Sequence, residues 1–173
     1  MKQIKFSSLL LTILLFASCA TTKIPFTSDI KKEYGISEDG LKKIQYYTSE
    51  DILLYKVTDE DNIATADGIL LISKRKDCEK VIIKRGTPCV LEKVLSDNVY
   101  LFSFEDNKYI AFGNSNGGNY NLLAKDWKNG TGTLKYDNKT YATSNGDVFL
   151  TVKVKKLNSL KSKERILKGR KIN

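Results

Sequence analysis

Histidine is absent from the 173 residues. That absence removes the Ser/His/Asp and Cys/His catalytic constellations, together with every zinc or iron site that needs imidazole. No apolar run reaches the roughly 20 residues that a membrane-spanning helix requires. Helix and strand signals do not alternate in the α/β manner, so a doubly wound parallel sheet is not expected. Cysteine is limited to Cys19, Cys78 and Cys89, and neither Cys78 nor Cys89 has the neighbouring base that would make a thiol a nucleophile. No pattern requires a cofactor or a metal, and no motif names a substrate or a reaction. What remains, 41% hydrophobic against 28% charged residues, suits one compact domain rather than a disordered chain.

The strongest local signal is at the amino terminus. Lys2 and Lys5 form a positive segment, and Leu9 to Phe16 form an uncharged apolar stretch of signal-peptide length, which predicts export. Residues 1–18 are read as the signal peptide. Phe16-Ala17-Ser18-Cys19 then places two small residues directly before a cysteine, and this resembles the lipobox of bacterial lipoproteins, with Phe16 where that family more often has Leu or Val. The resemblance implies cleavage before Cys19, a diacylglycerol on its thiol and acylation of its new amine. More than one acyl chain is enough for stable anchoring, where a single chain is marginal. Ala20, rather than Asp, follows the cysteine, and in the family's sorting logic this implies the outer membrane, facing the periplasm. Residues 19–26 read as a tether closed by Pro25, with a maximum span of about 25 to 30 Å.

Charge is unevenly placed. The formal net charge is +9, yet from Cys19 to Val152 there are 18 basic and 19 acidic residues. From Lys153 onward Lys153, Lys155, Lys156, Lys161, Lys163, Arg165, Lys168, Arg170 and Lys171 face Glu164 alone. A neutral body with a basic end predicts contact with an anionic surface: lipid head groups, cell-wall polymer or an acidic envelope protein. The exported compartment excludes nucleic acid. The alternative for residues 157–173 is a solvated charged tail without a dedicated ligand. Within it, Ser159 is placed to cap a short helix carrying Leu160 and Leu167 and stopped by Gly169.

The body, residues 27–156, reads as β-rich. Two single helical turns come first, Asp29 to Tyr34 closed by Gly35 and Glu38 to Lys42 behind a Ser37 cap. Lys43–Thr48 and Asp51–Val57 flank Ser49-Glu50 as a hairpin, and Gly68–Lys74 is the next strand. Short strands follow at Glu79–Lys84, Pro88–Leu95, Val99–Phe104, Lys108–Gly113, Tyr120–Ala124, Gly132–Tyr136, Thr140–Thr143 and Asp147–Lys155. The turns between them are rich in Gly, Asn and Asp. The expected architecture is an antiparallel meander closing into a small barrel or sandwich. Lys84 to Phe112, with its Gly-Thr-Pro turn and three short strands, is similar in pattern to an SH3-like barrel. The whole chain is similar to small lipoproteins common in Bacteroidota-type bacteria.

Four further features have two readings each. An oxidising compartment suits a Cys78–Cys89 disulfide. A hairpin turning at Arg85-Gly86-Thr87, however, would hold the two cysteines five or six residues apart along the ladder, too far to bridge, and this favours two separate buried thiols. Asp59-Glu60-Asp61 lacks the spacing and glycine of a calcium loop and reads as a solvated turn. Gly113–Asn119 lies between strands rather than before a helix, so it reads as a hairpin loop rather than an anion cradle. Trp127, the only tryptophan, reads either as a barrel lid or, with Tyr120 and the nearby asparagines, as a ledge for a sugar. A carboxylate pair working without histidine, as in glycosidases, has no conspicuous candidate. The sequence therefore predicts a lipid-anchored, non-enzymatic binding or structural protein, with a cell-wall glycan-binding module or glycan-directed enzyme as the alternative.

Overall fold

The computed structural model describes residues 22–57, 79–114 and 117–160. The chain is mainly β, arranged as two antiparallel sheets. The first sheet runs β1 (Lys23–Pro25), β12 (Leu150–Lys153), β2 (Tyr46–Thr48), β5 (Pro88–Ser96), β6 (Val99–Glu105), β7 (Lys108–Gly113) and β8 (Asn121–Leu122). The second runs β4 (Lys80–Ile83), β3 (Ile52–Lys56), β11 (Lys139–Thr143), β10 (Thr131–Tyr136) and β9 (Lys125–Lys128). Helices α1 (Ser28–Glu33) and α2 (Glu38–Leu41) follow β1, and α3 (Val154–Leu160) follows β12.

The local chemistry explains the elements. Thr27 caps α1 by accepting from the Ile30 amide at 3.1 Å, and Ser37 caps α2 through the Gly40 amide at 3.2 Å, which fills amide valences that a first helical turn leaves open. Asp137 and Asn138 both take positive φ, at 51° and 58°. That is the geometry of a two-residue hairpin whose twist matches its strands, and it sets Tyr136 opposite Lys139. In β6 the residues Tyr100 and Phe102 point into the core and are fully buried, whereas Val99 and Leu101 are only partly covered.

One aromatic-rich core joins the two sheets. Phe26, Tyr46, Tyr100, Phe102, Phe112 and Tyr120 come from the first sheet and its flanks, and Ile52, Leu54, Ile83, Leu134, Tyr136 and Tyr141 from the second. Phe102 stands edge-on to Tyr46 at 4.9 Å and to Phe112 at 5.6 Å, the arrangement that ring quadrupoles favour. The first sheet curls until its ends approach. The Leu122 amide donates to the Val148 carbonyl at 2.7 Å, the Leu150 amide to that of Tyr120 at 3.2 Å, and isolated bridges join Thr27 to Asn119 and Asn121 to Phe149. These stitches are not a continuous ladder, so the outcome is a sandwich-like pair of sheets rather than a closed barrel.

Several sequence expectations are corrected by the pairing. Ser49-Glu50 is not a hairpin turn, because β2 pairs with β12 and β5 while β3 pairs with β4 and β11. Arg85-Gly86-Thr87 is likewise a crossing between sheets. The two crossings are sutured together: the Thr48 hydroxyl donates to the Lys84 carbonyl at 2.9 Å, and Asp51 accepts from the Lys84 ammonium and the Arg85 amide, each at 2.8 Å. Of the SH3-like stretch, the β5–β6–β7 meander is present, but Lys84 lies in the crossing that comes from the other sheet. The end of the expected tether is folded, since residues 23–25 pair with β12 and Phe26 is fully buried. The body also extends past residue 156, because Leu157 is buried within α3. Ser159 lies inside that helix rather than capping one, and its hydroxyl donates to the Lys156 carbonyl at 2.6 Å. Residues 125–128, which lie between the expected strands Tyr120–Ala124 and Gly132–Tyr136, form edge strand β9. Cys19, Cys78, Asp59-Glu60-Asp61, the strand expected at Gly68–Lys74 and residues 161–173 lie outside the described residues.

Candidate functional site

The described part of the basic end begins where the chain also enters the fold. Lys23 of β1 lies directly opposite Lys153 of β12, and the Val154 amide donates to the Thr22 carbonyl at 3.2 Å. Alternation sends Ile24 and Val152 inward and Lys23 and Lys153 outward. Both lysines converge on one ring: the Lys23 ammonium lies 3.8 Å from the centroid of Tyr47 and that of Lys153 5.3 Å. Tyr47 is the outward neighbour of the buried Tyr46 and sits opposite Thr151 and Pro88. On the same face of β5, Val90 is exposed. Lys155 and Lys156 continue the charge into α3, and both are open to solvent or nearly so. Lys161, Lys163, Arg165, Lys168, Arg170 and Lys171 lie outside the described residues.

Lys23 and Tyr47 are absent from the sequence-based candidates. Lys23 was assigned to a tether, and nothing local reveals that residues 23–25 pair with a strand more than 120 residues away. Tyr47 carried a usable signal: in an alternating strand with Tyr46 inward, Tyr47 must face out.

Trp127 and Tyr120 do not form a common surface. Tyr120 is buried in the core, stacked on Tyr100 at 4.8 Å and on Phe26 at 5.0 Å, so its assignment as a sugar contact is corrected: it is a packing residue. Trp127 is neither a buried lid nor a free ring. It is 43% exposed, its indole N–H donates to the Ala124 carbonyl at 3.0 Å, and one side lies on Gly132 and Gly146. Elsewhere, Leu95, Tyr109 and Leu123, three large apolar side chains left exposed, meet in an open groove of about 660 Å3. Val99, Leu101, Ala111, Lys125 and Asp126 also line it.

The described carboxylates with displaced pKa values are all held in the ionised form. Lysine hydrogen bonds are the leading cause in each case: Lys84 lowers Asp51, Lys108 lowers Glu105, and Lys56 leads in pulling Glu79 down to about 2, with Tyr141 and Lys139 assisting. A glycosidase general acid needs a carboxyl displaced in the opposite direction. The Cys89 thiol is buried, free of any disulfide, and pushed upward by its desolvation, which makes it a poor nucleophile. Among the described residues no three His, Cys, Asp or Glu side chains gather as a metal site, and no helix is long and apolar enough to cross a membrane. In comparisons with known proteins, no family model, no curated protein and no solved structure matches the chain.

Proposed function

We propose that the protein is a non-enzymatic, lipid-anchored component of the bacterial cell envelope, acylated at Cys19 and held on the outer membrane facing the periplasm, where its basic edge contacts an anionic surface. The observation that supports this reading most directly is the hydrogen bond between Thr22 and Val154. Thr22, three positions after Cys19, and Val154, directly after the first lysine of the basic run, meet at the β1 edge of the first sheet. An anchor and a basic segment leaving from the same edge act on the same side of the molecule. Expression with labelled palmitate tests the anchor: the wild-type chain incorporates label and fractionates with membranes, and Cys19→Ala abolishes both. Label retained in Cys19→Ala, or absent from wild type, rules the anchor out.

The second reading, a cell-wall glycan-binding module, is favoured by the half-open indole of Trp127. An aromatic face fixed on a glycine shelf suits stacking against the CH face of a sugar. On that reading Trp127→Ala loses co-sedimentation with purified sacculi, whereas on the leading reading such sedimentation is governed by salt and by the basic residues.

A further inference from the structure

We infer that Lys23, Tyr47 and Lys153 form a membrane-contacting face that binds the phosphate groups of anionic phospholipids in the bilayer carrying the anchor. Its placement next to the anchor rests on the Cys19 reading; its chemistry does not. Two ammonium groups sit over one tyrosine ring, on residues directly opposite each other in the β1–β12 pair. Like charges placed opposite each other across two strands repel. Among the described residues, no carboxylate forms a salt bridge with either lysine, whereas Lys56, Lys84, Lys108 and Lys139 all have acidic partners. An ammonium has three donors, and a ring face accepts at most part of that capacity. The unmatched donors and the paired charge favour an anion bound between them.

The surroundings distinguish a bilayer from a soluble anion. Tyr47 is amphipathic and suited to the head-group level of a membrane. Pro88 lies opposite Tyr47, and Val90, exposed on the same face of β5, offers an apolar contact next to the charge. Lysine stems can lie along such a surface with their heads in the phosphate layer. From Cys19 to Lys23 the chain spans at most about 14 Å, so an acylated Cys19 keeps this face within reach of the head groups. The nearness raises the effective concentration of phosphate at the site without any new contact.

The test uses the chain from Ala20 onward, without acyl groups, so that a failure of the Cys19 reading cannot be mistaken for a failure of this one. Its co-sedimentation is measured with vesicles of phosphatidylcholine containing phosphatidylglycerol, whose anionic head groups set a negative surface potential, and with phosphatidylcholine alone. The expected result is salt-sensitive binding to the anionic vesicles only. Lys23→Gln with Lys153→Gln weakens it by about twenty-five-fold, at about five-fold per lysine. The Lys23→Arg, Lys153→Arg pair binds like wild type. Lys125→Gln with Lys135→Gln, which removes equal charge from β9 and β10, leaves binding nearly unchanged. Absent vesicle binding, equal losses from the two glutamine pairs, or binding to soluble polyglutamate but not to vesicles would each overturn the inference.

Discussion

Trp127 lies so close to Gly132 that a Cβ on that glycine would fall 2.7 Å from the indole Cε2 and 2.8 Å from Cδ2. The same added carbon would also meet the Ala124 Cβ at 2.8 Å. Gly146 also approaches the ring so closely that its Cβ would meet Cη2 at 2.8 Å. The two glycines and the bond from the indole N–H to Ala124 fix the orientation of the only tryptophan in the chain.

Gly132→Ala is therefore expected to destabilise the protein. Loss of chain entropy in the unfolded state favours alanine by about 0.4 to 1 kcal/mol, while overpacking costs about 1 to 3 kcal/mol. Three contacts under 3 Å make the second effect win, for a net loss of about 1 to 2 kcal/mol. Because Trp127 is the sole indole, its fluorescence reports the displacement directly. A red-shifted emission with a lowered Tm is the expected pair of results, and an unchanged spectrum at unchanged stability contradicts the shelf.

Glu79 links three strands. Its carboxylate takes the Lys56 ammonium at 2.9 Å from β3, and the Tyr141 hydroxyl at 2.9 Å and the Lys139 ammonium at 3.3 Å from β11, just before β4 begins. With its folded pKa near 2 and an unfolded value near 4.3, the folded state binds fewer protons between those limits. The stabilisation is present above about pH 4.3 and is lost as pH falls towards 2. Denaturant midpoints measured from pH 5 to pH 2 should fall for wild type more steeply than for Glu79→Gln, which has no proton to gain there. Parallel curves would show that the three partners do not perturb Glu79 in solution.

The buried tyrosines give a prediction at the alkaline limit. Burial is the leading cause that pushes Tyr120, Tyr136 and Tyr141 up to about 12 and raises Tyr46 well above its ordinary value. Their contribution is intact below the ordinary value near 10 and is lost as pH rises through about 12, because the unfolded chain releases those protons first. Phenolate absorbance at the tyrosine band should therefore rise in two stages: exposed rings near pH 10, then a cooperative step coincident with loss of circular dichroism. A single non-cooperative titration would contradict the buried ring cluster.

The strand positions and the crossings differ in how legible they were. Tyr100 and Phe102 alternate with Val99 and Leu101, so a strand there follows from period two alone, and Asp137-Asn138 marks the turn between β10 and β11 by chemistry. Ser49-Glu50 and Arg85-Gly86-Thr87 look like turns of the same kind, yet they carry the chain between sheets. A short polar link fits a hairpin and a corner equally, and only the partners Asp51 and Thr48, supplied from the other crossing, decide between them. Trp127 was recognisable as special, but its setting was not, because the shelf needs Gly132 and Gly146 in contact with it through space. The facing of Lys23 by Lys153 depends on long-range pairing that no local window contains. Tyr120 misled for the opposite reason: its polar neighbours suggest a surface, while Tyr100 and Phe26, distant in sequence, bury it.

Cys89 illustrates how the pairing changes a chemical expectation. The hairpin that would have kept it far from Cys78 does not exist, since β4 and β5 lie in different sheets; even so, the thiol is free and buried opposite Tyr46. Raised well above the ordinary thiol range by desolvation, it has almost no thiolate at neutral pH. A thiol reagent should modify Cys89 only at the rate at which the protein opens, and denaturant should accelerate the reaction in step with unfolding. Peptide mapping without reductant that recovers Cys89 joined to Cys78 would contradict this. The same burial orders two substitutions. Cys89→Ala leaves a small void at about 1 kcal/mol, whereas Cys89→Ser buries a hydroxyl in an apolar site at about 1 to 3 kcal/mol unless it finds a partner. Serine should therefore lower the melting temperature more than alanine, although it is closer in shape to the cysteine it replaces.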